Sequence, residues 1–262
     1  TPKQILIYEA LGAKVPQFGH LGMILAPDRS KLSKRHGATA VSDFIKQGYL
    51  TDALLNFVAL LGWAPSDGNE IKNVDEIAAD FRINEISSSN SIFEYEKLNW
   101  MNGQYIKKMD ISKLTDLVLP FLKNYNTSIY SRKQLEHIIE VTREPVTLLS
   151  DFENDTYYFF NEPDYTEVDE IIKGDVAKIV LPKFLEQVQN YDFDNEEDIH
   201  DKLGELRSYF KENHNFKPKE TMWAIRSALT GRTRGADMVA TIQILGFDEV
   251  NKRLKAAINY AQ

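Results

Sequence analysis

EEDIHDKLGELRSYFKENH, residues 196–214, decides the class of the fold. Ile199, Leu203, Leu206 and Phe210 recur at steps of four, three and four. That spacing puts all four on one stripe of a helix and leaves the charged residues to the other faces. A half-buried strand would need strict alternation, and there is none here. The same period extends in both directions. Downstream, KETMWAIRSAL (219–229) and FDEVNKRLKAAINYA (247–261) read as helices enclosing the loop TGRTRGAD (230–237) and a helix through MVATIQILG (238–246). Upstream, a helix is expected from about Asp175 to Asn190, and Ser131 with Gln134 has the spacing of a capping box opening a helix that lasts until Pro145.

Further toward the N-terminus, EYEKLNWMNGQYI (94–106) is expected to be helical until Gly103 interrupts it, with another helix following from Ser112. Ser42 is read as the cap of DFIKQG, and Thr51 as the cap of DALLNFVALLG, which stops at Gly62. Leu54, Leu55, Phe57, Val58, Leu60 and Leu61 surround that second helix almost completely, so it is expected to be buried on all sides. Trp63, Trp100 and Trp223 each sit in an apolar helical context and are expected to be buried too. Residues 1–12 read as a helix with Pro2 near its start and Gly12 past its end. The strand candidates are GMILAP (22–27) and, more weakly, SIFEY (91–95). The chain is mainly α.

Composition narrows the chemistry. The chain has 262 residues, 43% of them hydrophobic and 27% charged, as in ordinary globular domains. No apolar run approaches the roughly 20 residues that a membrane span requires, so no membrane contact is expected. With no cysteine and five histidines, none paired at a ligand spacing, thiolate catalysis, disulfides and zinc are excluded from the expectations. A cytoplasmic location and a monomer are expected. The first residue is not Met, and the chain is read as a piece of a longer protein.

Charge is distributed unevenly around the net −8. Lys and Arg outnumber Asp and Glu by seven to three over residues 1–48 and again over 204–235, whereas 151–201 holds three against sixteen. Basic zones flanking an acidic one suit a protein that meets a polyanion on some faces and keeps it off others. The densest basic knot is KLSKRHGA (31–38), directly after the apolar run LGMILAP (21–27). Two lysines three apart on a loop can follow charge as a phosphate is bound and transferred, although so short a pattern equally fits a solvated loop.

MILAPDRSKLSKRHGA (23–38), QGYLTDALLNFVALLGW (47–63) and SIFEYEKLNWMNGQYI (91–106), in that order, resemble the run of motifs in bacterial glutamyl-tRNA synthetases. IRSALTGRTRGADMVATIQILGFDEVNKRL (225–254) resembles the C-terminal anticodon-binding domain of the same family, so the resemblance covers essentially the whole chain. It implies residues 1–30 as the end of a class I catalytic domain, 31–110 as the lysine loop and stem-contact domain, and 111–173 and 174–262 as two helical anticodon-binding domains. It further implies that Lys31, Leu32, Ser33, Lys34 and Arg35 form the loop that closes over ATP with its Mg, while His36 adds to the positive field. Lys34 would be the catalytic contact to the phosphates as glutamate attacks, an effect worth about 3 kcal/mol for a well-placed donor.

The family's nucleotide-binding fold and H-x-G-H motif would precede this loop by far more residues than are present. HLGM (20–23) leads into a strand and is no substitute. The chain by itself is therefore expected to hold no ATP and to activate no glutamate. What remains is binding of the glutamate-accepting tRNA, and of the glutamine-accepting one if the third anticodon base is read loosely. The residue expected to decide that reading falls near Arg143, Glu144 or Pro145. By the resemblance, Arg226, Gly235, Ala236, Met238 and Val239 form the wall that holds the anticodon, and Arg232 and Arg234 reach backbone phosphates. Gly231 and Gly235 permit close backbone approach, and a helix starting near Ala236 would offer free N–H groups to an anion. The alternative is a helical protein-interaction scaffold of synthetase ancestry that no longer binds RNA, which the sixteen carboxylates of 151–201 favour.

Overall fold

A computed structural model describes residues 1–37 and 40–262; the side chain of Lys34 lies outside that description. The chain divides into two compact units, Thr1–Tyr105 and Ile106–Gln262.

In the first unit, Pro2 occupies the first turn of α1 (Pro2–Ala10), where its missing N–H costs nothing. The two strand candidates find each other. β1 (Ile24–Leu25) pairs in parallel with β2 (Ser91–Ile92), Ile24 opposite Ser91 and Leu25 opposite Ile92. Helices α2 (Val41–Gln47), α3 (Thr51–Leu60), α4 (Val74–Asp80) and α5 (Tyr95–Lys108) supply most of the remaining regular structure. Phe44, Phe57 and Phe93 meet in the core, with Phe57 and Phe93 edge to face at 4.9 Å between centroids. Two buried amides tie the helices together. Asn56 accepts the Lys72 N–H at 3.0 Å, and Asn102 accepts the Leu50 N–H at 2.8 Å.

Several expectations for this unit need correction. Neither Ser42 nor Thr51 caps a helix: the N-cap residues are Ala40 and Leu50, and neither makes a side-chain cap bond. The start of α3 is set by Asn102, which holds the Leu50 N–H from α5, so a long-range contact replaces the local one. Helix α3 is buried on one side only. Leu54 and Phe57 are in the core, whereas Leu55 and Val58 are 45% and 48% exposed and face an open apolar groove of about 550 Å³ with Val74, Ile77 and Phe81. Gly103 does not interrupt α5, whose helix continues to Lys108. Trp63 is buried, but Trp100 is 49% exposed because it lies beside the buried stripe formed by Leu98 and Met101.

The second unit is helical throughout. It contains α6 (Ile111–Val118), α7 (Arg132–Thr142), α8 (Asp151–Asp155), α9 (Tyr157–Phe160), α10 (Asp169–Ile172), α11 (Asp175–Gln187), α12 (Glu196–His214), α13 (Pro218–Thr230) and α14 (Met238–Tyr260). The opening stripe holds: Ile199, Leu203, Leu206 and Phe210 are all in the core. Asn195 starts α12 by accepting the N–H groups of Glu197 and Asp198. Ser131 and Gln134 form the expected capping box of α7. At Gly246, with φ +72° and ψ 168°, α14 breaks into the two helical segments seen in the sequence.

Arg253 is the unit's buried cation, at 2% exposure. It ion-pairs with Glu249 at 2.6 Å and donates to the carbonyls of Tyr158, Leu229 and Asn161 at 2.7, 2.7 and 3.1 Å. One side chain thus terminates α13 and fixes the backbone around α9. Trp223, expected inside, is 38% exposed, since α13 buries Ala224, Ile225 and Ala228; the Lys219 ammonium lies over its ring at 4.4 Å.

Candidate functional site

The basic loop belongs to the first unit. After β1 the chain turns back on itself: Leu25 bridges Lys31, and Leu32 donates to the Ile24 carbonyl at 3.2 Å. Asp28 fixes the turn by accepting the backbone N–H and the hydroxyl of Ser30 at 2.9 and 2.7 Å; those two bonds hold its carboxyl below the ordinary carboxylate value. A short 3₁₀ turn, Lys34–His36, follows. Lys31 and Arg35 are exposed, and Leu32 and Ser33 are partly buried. His36 fastens the loop, its Nδ1 accepting the Ser33 N–H at 3.1 Å and its Nε2 lying 3.6 Å from the Asp28 carboxylate.

The second unit carries an open groove of about 1030 Å³. Its walls come from the end of α7 and the residues after it, from α8 and α9, and from the loop Arg232–Asp237 between α13 and α14. The loop is held at one residue, Ala236. Arg226 donates Nη1 to the Ala236 carbonyl at 2.7 Å, and the Ala236 N–H donates to the Tyr158 hydroxyl at 3.0 Å. Gly235 fits between them with φ +149°; a Cβ there would lie 3.0 Å from the Tyr158 hydroxyl and 3.4 Å from Arg226 Nη1. Gly231, at φ +68°, ends α13 against the backbone of Asp164, where a Cβ has no room. Burial lowers the Arg226 pKa from its ordinary value and raises that of Tyr158.

The sequence-derived residues therefore converge in part. Arg226, Arg232, Arg234, Gly235 and Ala236 share the loop and its support, and Arg234 is exposed. Arg232 donates Nη2 to Asn154 Oδ1 at 2.9 Å and lies 5.8 Å from the Tyr157 ring. Met238 and Val239 are 4% and 8% exposed and pack in the core, so their side chains support the wall from behind. The N-terminus of α14 is not free for an anion. Asp237 caps it, accepting the N–H groups of Val239 and Ala240 at 2.8 and 3.2 Å. Glu144 and Pro145 line the groove, whereas Arg143 turns away from it to Glu140 at 2.9 Å and the Met109 carbonyl at 3.2 Å.

Sequence reading missed Tyr158, Asn154 and Asp155. Their stretch, DFENDTYYFF, has no helical stripe; the available signal was its aromatic density beside carboxylates, which suits an edge of the core. Among the described residues, no group of three or more His, Asp or Glu could hold a metal ion.

Residues 1–100 match the family described as "tRNA synthetases class I (E and Q), catalytic domain", and residues 113–258 match "Anticodon binding domain". The chain is 38% identical to "Glutamate--tRNA ligase 2" of Thermoanaerobacter pseudethanolicus over 270 residues, covering 100% of this chain and 55% of the relative. It is 36% identical to "Glutamate--tRNA ligase" of Carboxydothermus hydrogenoformans, covering 99% and 55%. Among solved structures it superposes on a glutamate tRNA ligase from Elizabethkingia meningosepticum, crystallised in complex with its amino acid, with TM-score 0.84 and 27% identity over 98% of this chain and 54% of that one. The glutamate-tRNA synthetase of Elizabethkingia anophelis gives TM-score 0.80 and 29% identity, covering 97% and 53%. The chain spans about half the length of the curated relatives it matches.

Proposed function

Because this chain belongs to the glutamate–tRNA ligase family, through an anticodon-binding domain that takes up more than half of it, we propose that its helical unit holds the anticodon loop of glutamate-accepting tRNA in the groove beside Arg232–Asp237. The observation that carries this is the Ala236 backbone, held at both its N–H and its carbonyl, which gives a glycine-flanked loop a fixed shape with Arg232 and Arg234 beside it. Anticodon bases are single-stranded; they can be splayed into a concave site and read along their edges, while arginines take the phosphates. In this reading Arg226, Gly235 and Ala236 form the wall, Met238 and Val239 back it, and acceptance of the glutamine tRNA depends on the edge near Glu144 and Pro145. Within the two units, the finer division into 1–30, 31–110, 111–173 and 174–262 stands as part of the same proposal.

Lys31–Arg35 is the ATP loop of the complete activity, ATP-dependent attachment of glutamate to tRNA, in which Mg accompanies the nucleotide and Lys34 contacts the phosphates. The expected setting is a cytoplasmic monomer without zinc.

Fluorescence anisotropy with glutamate tRNA and an unrelated tRNA, each at about 50 and 200 mM salt, tests the proposal. If two or three phosphates are neutralised, affinity should fall on the order of tenfold between the two salts. Preference for the glutamate tRNA with that salt response supports it. Equal or absent binding would favour the scaffold reading, whose apolar contacts respond little to salt.

A further inference from the structure

Asp155 breaks the rules that stabilise a fold. It is the last residue of α8, where the helix dipole disfavours negative charge, and it is half buried. Among the described residues no Lys, Arg or His nitrogen lies within ion-pair distance of it. Arg232, whose charge favours its ionisation, aims Nη2 at Asn154 Oδ1 instead. Burial, together with Asp151, pushes the Asp155 carboxyl above its ordinary value.

The same contacts give the carboxyl a fixed direction. Arg232 donates to Asn154 Oδ1 at 2.9 Å, which settles the orientation of the amide, and Asn154 Nδ2 then donates to Asp155 Oδ1 at 3.3 Å. One oxygen is thereby committed, the other keeps its acceptor capacity, and Asp155 lies on the groove wall that also includes Gly235 and Ala236. An acceptor beside an RNA site repels phosphate, so it aids binding by taking a hydrogen bond, from a ribose 2′-hydroxyl or from a base; of the two only the base contact carries sequence information.

We propose that Asp155 is a base-reading residue of the groove, accepting the exocyclic amino group of an unstacked cytosine and rejecting uracil, whose carbonyl oxygen occupies the same place. The inference rests on the groove's being the anticodon site. A carboxylate accepting from cytosine N4 is a matched pair, and setting a carbonyl lone pair against it leaves both acceptors unpaired. Arg232 and Asn154 act as positioning residues for Asp155, so the basic loop contributes to base choice as well as to phosphate contact.

The test is anisotropy on the full chain with fluorescein-labelled anticodon-arm hairpins that differ by C or U at one anticodon position at a time. Wild type is expected to prefer C at one position by on the order of tenfold. In Asp155→Asn the preference should fall to within about twofold, since an amide offers either a donor or an acceptor. Asp155→Ala should also lose the preference, through weaker binding of the C hairpin. A C-over-U ratio in Asp155→Asn equal to that of wild type overturns the proposal and leaves the groove as the binding site. So does wild-type binding without preference at any position. Failure of wild type to bind any hairpin overturns the groove reading itself.

Discussion

The Ala236 backbone is bonded on both sides of its Cα, its carbonyl to a half-buried guanidinium and its N–H to the hydroxyl of the buried Tyr158. Each bond should be separable by mutation. Tyr158→Phe removes the acceptor for the Ala236 N–H without changing the ring packing, and is expected to cost about 1–2 kcal/mol in denaturant unfolding. Arg226→Ala should cost about 2–3 kcal/mol in the same assay, because the Ala236 carbonyl loses a charged donor, and should weaken RNA binding beyond its effect on stability. Gly231→Ala combines a positive φ with a collision against Asp164 and is expected to lose about 2 kcal/mol or more. Asp155→Asn goes the other way. A carboxyl whose pKa is raised on folding binds more protons folded than unfolded, so stability falls as pH rises through that window; at neutral pH the amide should melt no lower than wild type.

At the level of elements, what could be read from the sequence was what is locally encoded. Residues 196–214 repeat with a helical period, and Ser131 with Gln134 makes a reciprocal local pair, so both appear in the structure as expected. The starts of α2 and α3 were misread because a hydroxyl near a helix start is only one way to hold it; for α3, Asn102 holds it from 52 residues further along the chain. The loop GRTRGAD was recognisable as special by its glycines, yet its supports, Tyr158 and Asn154, lie far away in sequence and carry no spacing signal. The start of α14 shows the same limit. A helix N-terminus beside an arginine loop suggests an anion site, but Asp237 already takes its N–H groups. Asp237→Ala should cost about 1 kcal/mol of stability and, by removing a negative charge beside the arginines, should strengthen RNA binding at low salt.

For the molecule as a whole, alkaline pH probes both units through phenols shielded from water. Burial lifts Tyr105 in the first unit and Tyr165 in the second from the ordinary 10.0 to about 12. Such a group is protonated in both states below pH 10 and favours the folded state's proton above it, so stability should be lost as pH climbs from about 10 toward 12. Circular dichroism melts across that range should show the loss, and Tyr105→Phe should reduce it for the first unit. Binding should respond to salt at the arginines of the second unit, although the chain as a whole carries −8, because local field and not net charge governs contact with phosphate. The most direct test of the account is where the anticodon touches the protein. Glutamate tRNA carrying 4-thiouridine in its anticodon would be irradiated with the chain and the crosslinked peptides identified by mass spectrometry. The account predicts crosslinks to peptides containing Asn154–Tyr158 and Arg232–Asp237, and crosslinks confined to other peptides would contradict it.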